Sequence, residues 1–151
     1  MGVSGAGKST IGKLLAERLG VPFLDADEYH PPENVAKMAA GTPLTDDDRK
    51  PWLELLNRKL RGCENAVLAC SALKESYRQA LAHGLADCRI VHLQGGLELI
   101  RARLAERKHR YMPASLLQSQ FATLEPPSGA LGIDVAQAPE LCVDRIVTAL
   151  R

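Results

Sequence analysis

The sequence has no strong net charge, no long apolar run and no paired cysteines, and each absence removes a class of function. Its formal net charge is +1 over 151 residues. No global field therefore draws it to nucleic acid or to a membrane surface, and any affinity for anions must come from local clusters. No apolar stretch approaches the roughly 18 residues of a membrane span, and no charged-then-apolar leader opens the chain, which predicts a cytoplasmic protein. The four cysteines, Cys63, Cys70, Cys88 and Cys142, form no C-x-x-C pair and have no histidine at zinc-ligand spacing. Buried free thiols are expected, not a metal site or disulfides. There is no internal repeat, no low-complexity tract and no N-K-x-D guanine-reading motif. What is present is 46% hydrophobic and 25% charged residues, enough to bury one core and so to predict a single domain over 1–151.

The first ten residues carry the clearest signal. Gly2-Val3-Ser4-Gly5-Ala6-Gly7-Lys8-Ser9 fits the phosphate-loop pattern G-x-x-x-x-G-K-[ST], followed by Thr10. Its glycines let backbone N–H groups turn inward, and a helix starting at Lys8 or Ser9 aims its positive end at the same point. Lys8 is placed to reach the β- and γ-phosphates of ATP, and the Ser9 hydroxyl to ligate Mg²⁺.

Strand and helix signals then alternate. Ile11, Leu14, Leu15 and Leu19 recur at helical spacing, and Gly20 stands at a C-cap position. Pro22-Phe23-Leu24 reads as a buried strand delivering Asp25 and Asp27 to its carboxyl end, where open α/β sheets build their sites. Residues 28–51 are polar and proline-rich, with a short helical piece near Val35 to Ala40, and suggest a mobile substrate-covering segment. A helix from about Pro51 carries Trp52, Leu55, Leu56 and Leu60. Ala66 to Cys70 is the next strand, but it ends in Ser71, so the usual second acid of a phosphate site is missing and Asp25 is the nearest substitute. Leu73 to Ala82 reads as a helix, Arg89 to Leu93 as a strand, and Leu97, Ile100 and Leu104 as a helix. Met112-Pro113 opens another helix, Leu131 to Val135 forms a strand, and Val143, Ile146, Val147 and Leu150 stripe the last helix. This pattern predicts an α/β fold, a parallel sheet flanked by helices in three layers. Arg101, Arg103, Arg107, Lys108 and Arg110 crowd one stretch. Beside a phosphate loop, such a run fits an arginine-rich lid, approximately 103–125, closing over the γ-phosphate.

Several stretches carry a family resemblance. They are the phosphate loop, Asp25-Ala26-Asp27 with His30-Pro31, Pro43-Leu44-Thr45-Asp46-Asp47-Asp48-Arg49 with Pro51-Trp52-Leu53, Cys70-Ser71-Ala72-Leu73-Lys74 with Tyr77-Arg78, and Ser119-Gln120-Phe121 with Thr123-Leu124-Glu125. Together they resemble the gluconate kinase (gluconokinase) family. The resemblance implies transfer of the ATP γ-phosphate to the 6-hydroxyl of D-gluconate, a fold related to shikimate and nucleoside monophosphate kinases, and a homodimer. Joined to residue chemistry, it makes Lys8, Asp27 and Arg107 catalytic, with Asp27 positioning the alcohol and taking its proton. Arg103 joins the nucleotide contacts, with Arg103 or Arg110 the alternatives to Arg107. Asp25 would orient Ser9 or a metal-bound water. Arg49 is matched to the acceptor carboxylate, with His30, Lys74 and Arg78 lining the acceptor site. In the lid this chain has His109-Arg110-Tyr111-Met112-Pro113, where the family carries a glycine and a histidine before the aromatic. The alternatives are another small-molecule kinase, such as shikimate kinase, or a nucleotide-dependent regulatory binding module.

One expectation concerns the amino terminus. A phosphate loop joins a strand to a helix, yet only Met1 precedes the glycine, so the sequence predicts a shortened form whose first central strand, rich in Val, Ile and Leu, lies upstream. The sheet should then be incomplete between the strands ending near Asp25 and Leu93, with the strand ending near Cys70 on one side.

Overall fold

The computed structural model describes residues 1–107 and 114–151. In order it forms α1 (Lys8–Leu19), β1 (Phe23–Asp25), a 3-10 turn (Ala26–Tyr29), α2 (Pro32–Ala39), α3 (Asp46–Arg61), β2 (Val67–Ala69), α4 (Glu75–Ala82), β3 (Val91–Gln94), α5 (Leu97–Glu106), α6 (Ala114–Thr123), β4 (Leu131–Asp134) and α7 (Pro139–Leu150). Gly20 closes α1 in the left-handed conformation, as its position in the sequence predicts. Arg110 and the Met112-Pro113 helix start lie outside the described residues. No described helix is long and apolar enough to cross a membrane.

The strands pair in parallel, β1 with β2 and β3 with β4, Phe23 lying opposite Val67 and Val91 opposite Leu131. An incomplete sheet was expected, and the ladder is interrupted, but the interruption lies between β2 and β3. Met1 and Gly2 reach both sides of the interruption. The Met1 amino group donates to the Val91 carbonyl at 2.6 Å. Leu93 N–H donates to the Met1 carbonyl at 2.9 Å, and Gly2 N–H to the Ser71 carbonyl at 3.2 Å. The flanking strand is therefore β2, with β1 outboard of it, which corrects the expected order. The Val67 N–H bond to the Pro22 carbonyl, 2.9 Å, extends the β1–β2 pairing past its end.

Two apolar clusters follow this division. One gathers Val3, Ile11, Leu15, Leu93, Ile100, Ile133, Val143 and Ile146 around β3, β4, α1, α5 and α7. The other packs Trp52, Leu53, Leu56, Tyr77 and Leu81 of α3 and α4 against Ala26 and the end of β2. All four cysteines are free thiols; Cys70 and Cys142 are buried as expected, whereas Cys63 is half-buried and Cys88 exposed.

Helix α3 starts five residues before the expected Pro51. Thr45 and Asp48 form a reciprocal capping box, and three aspartates occupy the first turn. These signals outweigh Pro51, which sits inside the helix. The buried stripe is Trp52, Leu53, Leu56 and Asn57, with Leu53 and Asn57 in place of the expected Leu55 and Leu60, which are half-buried. The stretch 28–51, read as a mobile cover, is built of the 3-10 turn, α2 and the start of α3. Buried Asn34 ties α2 to α3 by donating to the Asp48 carbonyl at 2.9 Å, and Lys37 pairs with the Asp48 carboxylate at 2.8 Å.

Candidate active site

The phosphate loop meets its geometric requirements within a few residues. Gly7, the N-cap of α1, has φ 92°, and a Cβ on Gly2 would stand 2.8 Å from the Leu93 carbonyl oxygen. Neither position accepts a side chain without strain. The Lys8 ammonium donates to the Val3 carbonyl across the loop at 2.9 Å. Burial pushes its pKa down, and Arg107 pushes the same way, while Asp27, Cys70 and Asp25 oppose. Asp27, Asp25 and Arg107 therefore lie within electrostatic reach of Lys8.

Asp25, at the end of β1, serves two neighbours. One carboxylate oxygen accepts from the Ser9 hydroxyl at 2.6 Å, and the other accepts from the Asp27 N–H at 3.1 Å. The second bond makes Asp25 the cap of the 3-10 turn that presents Asp27. The Trp52 indole N–H fixes the same turn by donating to the Ala26 carbonyl at 2.8 Å.

The opposite wall comes from α3 and α4. His30 stacks on Trp52 with ring centroids 4.0 Å apart. Burial lowers the His30 pKa, Arg49 acts in the same direction and Asp27 opposes. Arg49 donates to the Leu44 carbonyl and, at 3.2 Å, to the Tyr77 hydroxyl. Lys74, the N-cap residue of α4, donates to Asp46 at 3.0 Å. Arg78, expected to reach acceptor oxygens, instead points inward. It lies on the buried face of α4, 4% exposed. Its guanidinium donates to the carbonyls of Ala72, Leu73 and Glu125 at 2.8, 3.1 and 2.9 Å, and to the Glu75 carboxylate.

The described part of the lid is tied to both walls. Gln120 of α6 accepts from the Ser4 N–H at 2.8 Å and donates to the Ser4 hydroxyl at 3.2 Å. Beyond α6, Glu125 N–H donates to the Leu73 carbonyl at 2.8 Å, and its carboxylate caps α4 at the Glu75 N–H. Arg107 is exposed at the end of α5. Arg103 donates to the Val135 carbonyl beyond β4, so the two arginines serve different places.

Sequence reasoning thus brings Lys8, Ser9, Asp25, Asp27, Arg107, His30 and Arg49 into one neighbourhood, and does not bring Arg78 there. It gave no role to Asp46, Trp52, Tyr77 or Gln120. The signal was available in part. Asp46 and Arg49 are one helical turn apart, as are Lys74 and Tyr77, but only the packing of α3 on α4 shows that the two pairs meet.

Known proteins match this architecture over almost the whole chain. A shikimate kinase family model matches residues 4–122. A probable gluconokinase from Xenopus tropicalis is 45% identical, with 97% of this chain and 88% of that protein covered. A gluconokinase from Gluconobacter oxydans is 49% identical over 84% of this chain and 74% of its own length. The crystal structure of a gluconokinase from Sinorhizobium meliloti 1021 superposes with a TM-score of 0.88 at 42% identity, covering 99% of this chain and 92% of that one. With a phosphate loop, an α/β core and these relatives, the chain belongs to the gluconokinase family of P-loop kinases.

Proposed function

We propose that the protein transfers the γ-phosphate of ATP to the 6-hydroxyl of D-gluconate, giving 6-phospho-D-gluconate. The observation that carries this reading is the place of Asp27. Its charge acts on Lys8 of the phosphate loop and on His30 of the opposite wall, where Arg49 also acts. A carboxylate on the turn that Asp25 caps, with a field that reaches both the phosphate cradle and the opposite wall, suits the group that meets a sugar acid's primary alcohol.

In this reading the loop amides from Gly2 to Thr10 and the Lys8 ammonium hold the phosphates. Arg103, bonded to the Val135 carbonyl beyond β4, adds a nucleotide contact there. Asp27 accepts the hydrogen bond of the acceptor hydroxyl and takes its proton as the phosphoryl group arrives. Arg107 closes from the lid and neutralises charge on the transferring oxygens. Arg49 binds the acceptor carboxylate, Lys74 reaches the acid's oxygens beside it, and His30 lines the acceptor site. The Ser9 hydroxyl and the Asp25 carboxylate, 2.6 Å apart at the start of α1, are the hard oxygen donors that suit Mg²⁺, which keeps several waters and takes few protein ligands. Held by these residues, Mg²⁺ would supply charge neutralisation for the phosphates during transfer. Residues 1–151 are read as one kinase domain with its lid at about 103–125, acting in the cytoplasm and, as the family resemblance implies, as a homodimer.

The test is ADP release in a coupled assay with ATP, Mg²⁺ and a panel of sugar acids and shikimate. Gluconate-dependent turnover is expected. Turnover with shikimate alone would move the chain to a different acceptor, and ATP binding without transfer to any polyol acid would make it a regulatory binding module.

A further inference from the structure

The cation pair on the acceptor wall is held by two groups that the proposed reaction does not otherwise use. Lys74 donates to Asp46 at 3.0 Å. The Tyr77 hydroxyl also donates to Asp46, and its oxygen accepts from Arg49 at 3.2 Å. This forms one directed chain, Arg49 to Tyr77 to Asp46, with Lys74 closing on the same carboxylate from the other side. Both cations also lie over the Tyr77 ring, Arg49 at 5.3 Å and Lys74 at 5.6 Å from its centroid. The chain joins two helices: Asp46 and Arg49 stand in the first turn of α3, and Lys74 and Tyr77 at the start of α4.

The charge balance of this cluster points outward. Two cations share one carboxylate, so the four side chains sum to +1. Asp46 is largely exposed, at 65% of its side chain, and Lys74 is 33% exposed. Tyr77 is 5% exposed, so its ring is fixed by the second apolar cluster and its hydroxyl is a rigid reference point. A simple α3–α4 clasp needs one cation and one anion. The second cation, anchored through a buried tyrosine hydroxyl, is excess for a clasp and suited to an incoming carboxylate.

We propose that Tyr77 is a positioning residue for acceptor specificity: its hydroxyl, bridging Arg49 to Asp46, fixes Arg49 and Lys74 as a pair that receives the carboxylate end of a polyhydroxy acid. The inference rests on the reading of the site as a gluconate site and deepens it. Without the bridge, Arg49 keeps its charge and its bond to the Leu44 carbonyl but loses the contact that aims it beside Lys74, and the charged end of the acceptor loses affinity while the reacting hydroxyl does not.

The test is Tyr77→Phe, which keeps the buried ring and removes only the hydroxyl. It is compared with wild type, Arg49→Ala and the double variant, using D-gluconate and the uncharged polyol D-glucitol, with thermal melting as a fold control. Tyr77→Phe should raise KM for gluconate by about tenfold with kcat and KM for ATP little changed. Slow D-glucitol turnover should move less than about twofold. On the Arg49→Ala background Tyr77→Phe should have little further effect, because the two act through one interaction. An unchanged KM for gluconate would overturn the proposal, as would an equal loss on both acceptors or full additivity with Arg49→Ala. If wild type transfers phosphate to a different polyol acid, the gluconate reading fails and the same cycle is judged on that acid. If wild type phosphorylates no acid, both readings fall.

Discussion

The two walls of the site are made in opposite ways. The phosphate wall is local: residues 2–10 form the loop and the start of α1, and one strand end adds Asp25. The acceptor wall is assembled from distant pieces, with His30 stacked on Trp52, Arg49 bonded to Tyr77, and Lys74 bonded to Asp46. A local site is specified by backbone geometry, and its residues have few alternatives. An assembled site depends on how two helices pack, and its polar groups can be diverted into structure, as Arg78 is. The same chemistry of charge on charge therefore has a fixed outcome on one wall and a contingent one on the other.

The comparison is tested most severely where the walls meet the transferring group. Arg107→Ala should cost about 10³-fold or more in kcat, the usual weight of an arginine acting on a phosphoryl transition state. Less than a tenfold loss would move that role to Arg103 or Arg110, although Arg103 is engaged at the Val135 carbonyl. Asp27→Asn should lower kcat by about 10²-fold or more with the fold intact, the lower end of general acid–base contributions. Near wild-type turnover would show that Asp27 is not the base. Both are read by steady-state kinetics at saturating ATP and gluconate.

Arg78 should break the fold instead of the chemistry. Its guanidinium satisfies three backbone carbonyls and a carboxylate from a nearly closed position. Arg78→Met leaves those acceptors without their donor, which should destabilise by about 3 kcal/mol. For a domain of this size that corresponds to roughly 6–12 °C in Tm. A melt within about 2 °C of wild type would show that Arg78 is dispensable to packing and would return it to the acceptor wall.

These contrasts explain what was legible in the sequence. The phosphate loop, the Asp25–Ser9 link and the order of strands and helices follow from motif, period and turn residues, all short-range signals. The start of α3 was misread because Pro51 was taken as a first-turn proline, while the Thr45–Asp48 capping box, which begins six residues upstream, held the true start. Arg78 was misread because a helical face cannot be assigned as buried or open until its partner is known. Lys74 and Arg49 were chosen from the family resemblance and side-chain chemistry, neither of which gives a sign that Tyr77 and Asp46 stand between them. The interruption of the sheet was expected, but that β2 and not β1 flanks it depends on which strands pair, and that is a long-range property.

The smallest effect should appear at the base of the acceptor wall, in the attachment of α2 to α3. The Asp48 carboxyl is held down to about 2 by the Lys37 hydrogen bond and by the Thr45 N–H. Its folded value lies below its ordinary 3.8, so the unfolded chain binds the proton more readily. The stabilisation is therefore complete above about pH 4 and is lost as pH falls through about 2. Asp48→Asn keeps an oxygen for the Thr45 N–H but removes the charge facing Lys37. Urea midpoints of wild type and Asp48→Asn should differ at pH 5 and converge as pH falls from 4 towards 2. The gap should also narrow in high salt, because the Lys37 side chain is 42% exposed and the pair is open to screening. A gap that stays constant from pH 5 to 2 would assign the effect to the cap alone and leave the Lys37 pair without weight.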